Sequence, residues 1–163
     1  CYFSQLQHNR NEPRYPSTSL TAPCFSHPHC PGSAHHTCRK GQIDMNEQRA
    51  DSLAQAWIDA WNRHDLDAIV RHYATDVEFT SPFVPALSGE PSGTIHGRDP
   101  LRAYFRKGRD AYPNLHFELV RTLTGVDSLL LYYRSVNGLL AGEMMTVNGA
   151  GQIQTVRVHY VKE

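Results

Sequence analysis

"GEMMTVNGAGQIQTVRVHYV", residues 142–161, decides the fold. Apolar and polar residues alternate on both sides of "NGAG" at 148–151, the pattern of two strands joined by a tight turn. Glu143 disturbs the alternation. It shares a strand face with Met145 and Val147, because side chains repeat every second residue along a strand. Either that face is the wet side of a sheet, or a carboxylate stands among apolar side chains.

Upstream, "DSLLLYYRSV" at 127–136 is strongly strand-like and "LHFELVRTLTG" at 115–125 alternates. Asn137-Gly138 between apolar runs is the strongest short hairpin signal. A two-residue turn there pairs Val136 with Leu139, Arg134 with Ala141 and Tyr132 with Glu143. A four-residue "NGAG" loop then sets Glu143 opposite Val156. Before these strands the periodicity changes. "NEQRADSLAQAWIDAWNRHD" carries Leu53, Ala56, Trp57, Ala60 and Trp61 on one helical stripe. "DLDAIVRHYATD" predicts a second, short helix with Asp65 as N-cap. "DVEFTSPF" is extended, "VPALSGEPSGTIHG" at 84–97 is a loop, and "RDPLRAYFRKGRDAYPN" is a third helix capped by Asp99 with Pro100 at its first position. Helices segregated from an antiparallel meander predict an α+β domain.

Lys plus Arg and Asp plus Glu are 16 each, so the chain carries no net charge that would draw nucleic acid or an anionic membrane. No apolar run approaches the roughly 20 residues of a membrane span, and the first residues lack the basic and apolar regions of a secretory signal. Residues 1–44 hold all four cysteines, five prolines and five histidines with few aliphatic residues, and are expected to be a disordered extension. Cys24, His27, His29, Cys30, His35, His36 and Cys38 lie there, but their spacing does not match paired zinc ligands. The folded unit is expected from Met45 to residue 163. With no cysteine in that part, the reducing cytoplasm is the expected compartment.

"AWNRHDLDAIVRHYATDVEFTSP" at 60–82 and "VNGAGQIQTVRVHY" at 147–160 resemble the nuclear transport factor 2-like superfamily. Within it the chain looks closest to SnoaL-like proteins and ketosteroid isomerases, over residues 46–161. The resemblance implies a cone: a curved antiparallel sheet wrapped around a long N-terminal helix, with two shorter helices and a mouth that takes a small, mostly apolar molecule. It also implies a homodimer. It does not fix the activity, since relatives include isomerases, cyclases, hydrolases and plain binding modules. In the isomerases a helix tyrosine and a protonated aspartic acid bind the oxyanion while a second aspartate is the base. Those positions fall on Trp57, on Glu143, and near Thr80 or Ser81. Neither of the last two can abstract a carbon-bound proton at neutral pH, which argues against steroid isomerisation.

The expected lining face is Tyr132, Arg134, Glu143, Met145, Val147, Val156, Val158 and Tyr160, with Arg134 diagonal to Glu143. Glu143 is then an acid of raised pKa or half of a polarising pair with Arg134, with Tyr132 or the loop residue His96 assisting. Equally, Arg134 and Glu143 could merely satisfy each other. Trp57, Trp61, Tyr73, Phe79, Ser81 and Phe83 are read as pocket wall and core. No phosphate loop, nucleophile elbow or metal triad follows Met45, so no cofactor or metal is expected. The expected function is binding, with or without isomerase, cyclase or hydrolase chemistry, of a small lipophilic molecule bearing a polar group. The alternative is a non-catalytic ligand-binding or protein-interaction module.

Overall fold

Asn46 starts the first helix by accepting the backbone N–H of Arg49 at 2.9 Å. The computed structural model describes residues 45–161; the expected extension over 1–44 and its cysteines and histidines lie outside the described residues. Helix α1, Glu47–Asn62, buries Ala50, Ala54, Trp57, Ile58, Ala60 and Trp61. The stripe therefore runs through Ala54 and Ile58, and Ala56 is exposed. Asp65 caps the short α2, Leu66–Arg71, through the Ala68 N–H at 2.9 Å. Strand β1 is Tyr73–Thr80.

The loop expected at 84–97 holds two elements, α3 (Val84–Ser88) and β2 (Thr94–His96). Helix α4, Arg98–Ala111, is entered from Gly97 at φ 88°, so Asp99 lies in its first turn and is not its cap. Strands β3 (Glu118–Thr124), β4 (Ser128–Arg134), β5 (Leu140–Val147) and β6 (Ile153–Tyr160) follow.

The six strands form one curved, unclosed sheet in the order β2-β1-β6-β5-β4-β3. All neighbours are antiparallel except β1 and β6, which run parallel. Register shifts at Tyr73/Glu78, Leu119/Arg121 and Thr146/Val147 bend the strands, and the helices fill the concave side. Asn62 ties the end of α1 to the sheet: its amide donates to the Phe117 carbonyl at 2.9 Å and accepts the Phe117 N–H at 2.7 Å. That double bond-pair fixes Phe117 under Trp57, with the rings stacked at 15° and 5.7 Å.

The β4–β5 register corrects one expectation. Ser135 N–H bonds the Leu139 carbonyl at 2.7 Å, so a 3₁₀ turn of three residues, Val136–Gly138, closes the hairpin instead of a two-residue turn. Asn137 and Gly138 both take positive φ, 56° and 76°. The added residue pairs Glu143 with Leu131, and Tyr132 with Gly142. A slip of one turns every side chain of β4 over. Tyr132 and Arg134 therefore face outward, and Leu129, Leu131 and Tyr133 face the core. At β5–β6 the pairing is Glu143 with Val158 and Met145 with Val156. That differs from expectation by two residues, which preserves the face.

Candidate functional site

Glu143 is 2 % exposed, on the concave side of β5. Its Oε2 accepts a hydrogen bond from the Tyr133 hydroxyl at 2.9 Å. Burial pushes the carboxyl up from its ordinary 4.5 to about 7, against the opposing pull of the Tyr133 bond, which favours the carboxylate. Arg134 does not reach it: its guanidinium lies outside, 3.6 Å from Glu118 and 3.5 Å from the Gly138 carbonyl.

Four phenols feel the charge of Glu143. Burial raises Tyr73, Tyr104, Tyr133 and Tyr160, and the neighbouring carboxylate raises each further; Tyr104 reaches about 12. These hydroxyls stay protonated at any physiological pH and act as neutral hydrogen-bonding groups. One further contact locks the wall: Trp57 Nε1 donates to the Tyr73 hydroxyl at 2.8 Å. The buried Ser81 hydroxyl accepts the Phe83 N–H at 3.3 Å.

A cavity of about 70 Å³ lies against Glu143, walled by Trp57, Trp61, Phe79, Phe105, Phe117 and Tyr133 among others, with Val158 and Tyr160 from β6 and Leu87 from α3. Among the described residues no lysine, arginine or histidine lines it, and Glu143 is its one carboxyl. At Tyr112, Leu115, Ser135 and Val136 it meets an outer groove of about 370 Å³, bordered by His116, Glu118 and Arg134.

Of the residues expected at the site, Glu143, Trp57, Trp61, Phe79, Val158 and Tyr160 line this cavity. Tyr73 and Ser81 stand behind the wall, Tyr73 bonded to Trp57 and Ser81 to the Phe83 N–H. Met145 and Val156 belong to the core, at 0 % and 1 % exposure. Phe83 packs on Tyr160 with ring centroids 4.5 Å apart. His96 does not cover the mouth: it is exposed on β2, where pairing of Ile95 with Phe79 buries its neighbour and turns His96 outward. Sequence reasoning missed Tyr133, the one hydroxyl that touches Glu143, because the turn length was misjudged. It also missed Tyr104, Phe105 and Tyr112, whose signal was the aromatic spacing along the third helix. Among the described residues no group of three or more His, Cys, Asp or Glu could hold a metal, and no helix is long and apolar enough to cross a membrane.

The model of the SnoaL-like domain family matches residues 54–159. A SnoaL-like protein of unknown function from Burkholderia thailandensis E264 is 39 % identical, with a TM-score of 0.71 over 74 % of this chain and 100 % of that one. An NTF2-like protein of unknown function from Burkholderia xenovorans LB400 is 21 % identical, with a TM-score of 0.56 over 72 % of this chain and 86 % of its own. SalBIII, an epoxide hydrolase/cyclase-like enzyme of pyran ring formation in the polyether salinomycin, is 19 % identical, with a TM-score of 0.55 over 71 % and 93 %. The last two show likeness of fold alone. No curated protein matches the chain.

Proposed function

The chain belongs to the SnoaL-like domain family, and from that premise we propose that it binds a small lipophilic molecule bearing a polar group and acts on it through Glu143. The observation that carries this reading is a carboxyl buried to 2 % exposure on the wall of an apolar cavity, bonded by one phenol and, among the described residues, unopposed by any lining cation. Burial that brings the group to about 7 leaves both protonation states populated at neutral pH, which suits general acid–base work.

With one carboxyl in the cavity, the chemistry is that of a single acid, which donates to a developing oxyanion or a leaving oxygen. The place of the isomerase base falls near Thr80 or Ser81, neither of which can abstract a carbon-bound proton at neutral pH, so a base-driven steroid shift is not proposed. Isomerisation, cyclisation or ring opening of an enone, lactone or epoxide fits better. The cavity is about half the roughly 150 Å³ that holds benzene in an engineered dry site. Only the head of a ligand enters it, and the remainder leaves through the mouth into the outer groove. The absence of cysteine from Met45 onward suits the reducing cytoplasm.

Comparing wild type with Glu143→Gln on a panel of enones, epoxides and lactones tests the proposal. Turnover by wild type that falls at least 100-fold in the variant, in line with the ~10²–10⁴ of general acid catalysis, is the expected result. Tight binding by both proteins with turnover by neither would leave the binding-module reading in its place. A second reading concerns assembly. Leu123, Leu130 and Met144 are register neighbours in a row across the outer face of β3, β4 and β5, which favours a homodimer through that face.

A further inference from the structure

The two tryptophans of this chain differ in one respect. Trp57 Nε1 is engaged by Tyr73 at 2.8 Å, whereas Trp61 Nε1, one helical turn on, has no hydrogen-bond partner among the described residues. Trp61 is 6 % exposed and lines the cavity that Glu143 lines. A buried donor without an acceptor is costly to the fold and points to a partner supplied from elsewhere. The Tyr133 hydroxyl is engaged by Glu143, and among the described residues that line the cavity Trp61 Nε1 is the one buried side-chain polar atom without a partner. The competing use of the Trp61 N–H is the face of Phe105, whose ring meets the indole at 76° and 5.0 Å.

We propose that the Trp61 indole N–H is the ligand-orienting donor of this cavity, and that with Glu143 it seats a neutral hydrogen-bond-accepting oxygen, a ketone, lactone carbonyl or epoxide. The inference rests on the reading of Glu143 given above and adds the second point of attachment. Trp61 and Glu143 line the same small space, and a ligand head that reaches the Trp61 N–H, closed off by the surrounding side chains, draws the indole towards it. A cationic head offers the indole no acceptor, and an anionic head would meet the carboxyl with no lining cation among the described residues to neutralise it. Hence the head is uncharged. The same pairing fixes which way it points, because the indole cannot accept and the oxygen cannot donate. Trp61 is a positioning residue in this scheme and transfers no proton.

Indole N–H resonances of the full chain provide the test. Two signals are expected, and Trp61→Phe removes one while keeping an aromatic ring in the wall. Cyclopentanone and its oxygen-free analogue methylenecyclopentane are the probes. The Trp61 signal should move downfield with the ketone and not with the hydrocarbon, while the Trp57 signal stays in place. Trp61→Phe should weaken ketone binding about fivefold or more relative to hydrocarbon binding, within the worth of one hydrogen bond, because both probes feel the altered wall and only the ketone loses the donor. A Trp61 signal that sits upfield and responds alike to both probes assigns the N–H to Phe105 and overturns the proposal. So does a wild type that binds neither probe. The downfield movement is read in wild-type protein, so the test survives an unstable variant. Glu143→Gln separates the two readings: a ketone-specific Trp61 shift with no loss of turnover in the variant removes the catalytic role of Glu143 alone. Loss of turnover with an unmoved Trp61 removes the present inference alone.

Discussion

At the scale of single residues, Glu143 is a carboxyl that folding makes harder to ionise. The sign of its contribution follows. Its pKa rises from 4.5 to about 7 on folding, so the native state holds the proton more tightly than the unfolded chain between those values. Stability contributed by the protonated form is complete below about 4.5 and is lost as pH climbs towards 7, by roughly 3 kcal/mol in all. Chemical denaturation of wild type should therefore show stability from this group falling across that window. Glu143→Gln, which cannot ionise, should lack that component of the slope. Tyr133 acts in the opposite sense, since its hydroxyl donates to the carboxylate at 2.9 Å. Tyr133→Phe should move the Glu143 titration upward, followed by the protonated-carboxyl infrared band as pH is raised. An unchanged or lowered midpoint in that variant would contradict the bond. Tyr132→Phe, by contrast, should leave the titration alone, because Tyr132 stands on the other side of the sheet.

Among the elements, the β4–β5 turn carries most of the site's geometry. Gly138 at φ 76° has open space around its missing Cβ, so alanine there meets no clash and suffers only the left-handed backbone. Gly138→Ala should cost about 1 kcal/mol or somewhat more. Gly108 in α4 also has open space but lies in helical backbone, where alanine is favoured by about 1 kcal/mol. Gly108→Ala should thus raise the melting temperature and, because Gly108 borders the cavity, weaken ligand binding. Equal destabilisation by both substitutions would refute this account. The turn also marks the limit of what the sequence discloses. Alternation makes all four strands of the meander and the inward placement of Glu143 legible, because each strand's pattern is local. Pairing depends on turn length, and "VNGLL" is compatible with loops of two or three residues. An error of one exchanges Tyr132 for Tyr133 and expels Arg134, whereas the error of two at β5–β6 leaves every face intact. The 84–97 segment failed for another reason: its short helix and strand lie between Pro, Gly and Ser signals that outweigh so few periodic residues.

For the molecule as a whole, the parallel contact of β1 with β6 brings the first strand of the chain against the last. Nothing local in "YATDVEFT" announces that pairing; it arises because helices fill the concave side and both strands need a covered edge. The result has two unequal faces. The concave one is spent on the aromatic wall and Glu143. The convex one leaves Leu123 54 % exposed and Met144 39 % exposed, with Leu130 between them in register and Arg157 ending the row. Scattered exposed apolar residues need no explanation, but an aligned row on one face of the sheet suits a second copy, since a two-fold contact places the same patch against itself. A stable dimer buries about 800 Å² per partner, so the row would form the centre of a patch that includes Arg121 and Tyr132, also on that face. Light scattering on the eluting protein should give twice the 18.4 kDa chain mass. Met144→Lys should halve it, because a lysine would oppose its own copy or lose its hydration in the contact. Ketone binding by the monomeric variant should persist, since Met144 and the cavity lie on opposite sides of β5. A wild type of single-chain mass at tens of micromolar, or an unaltered mass for Met144→Lys, would place the working surface elsewhere.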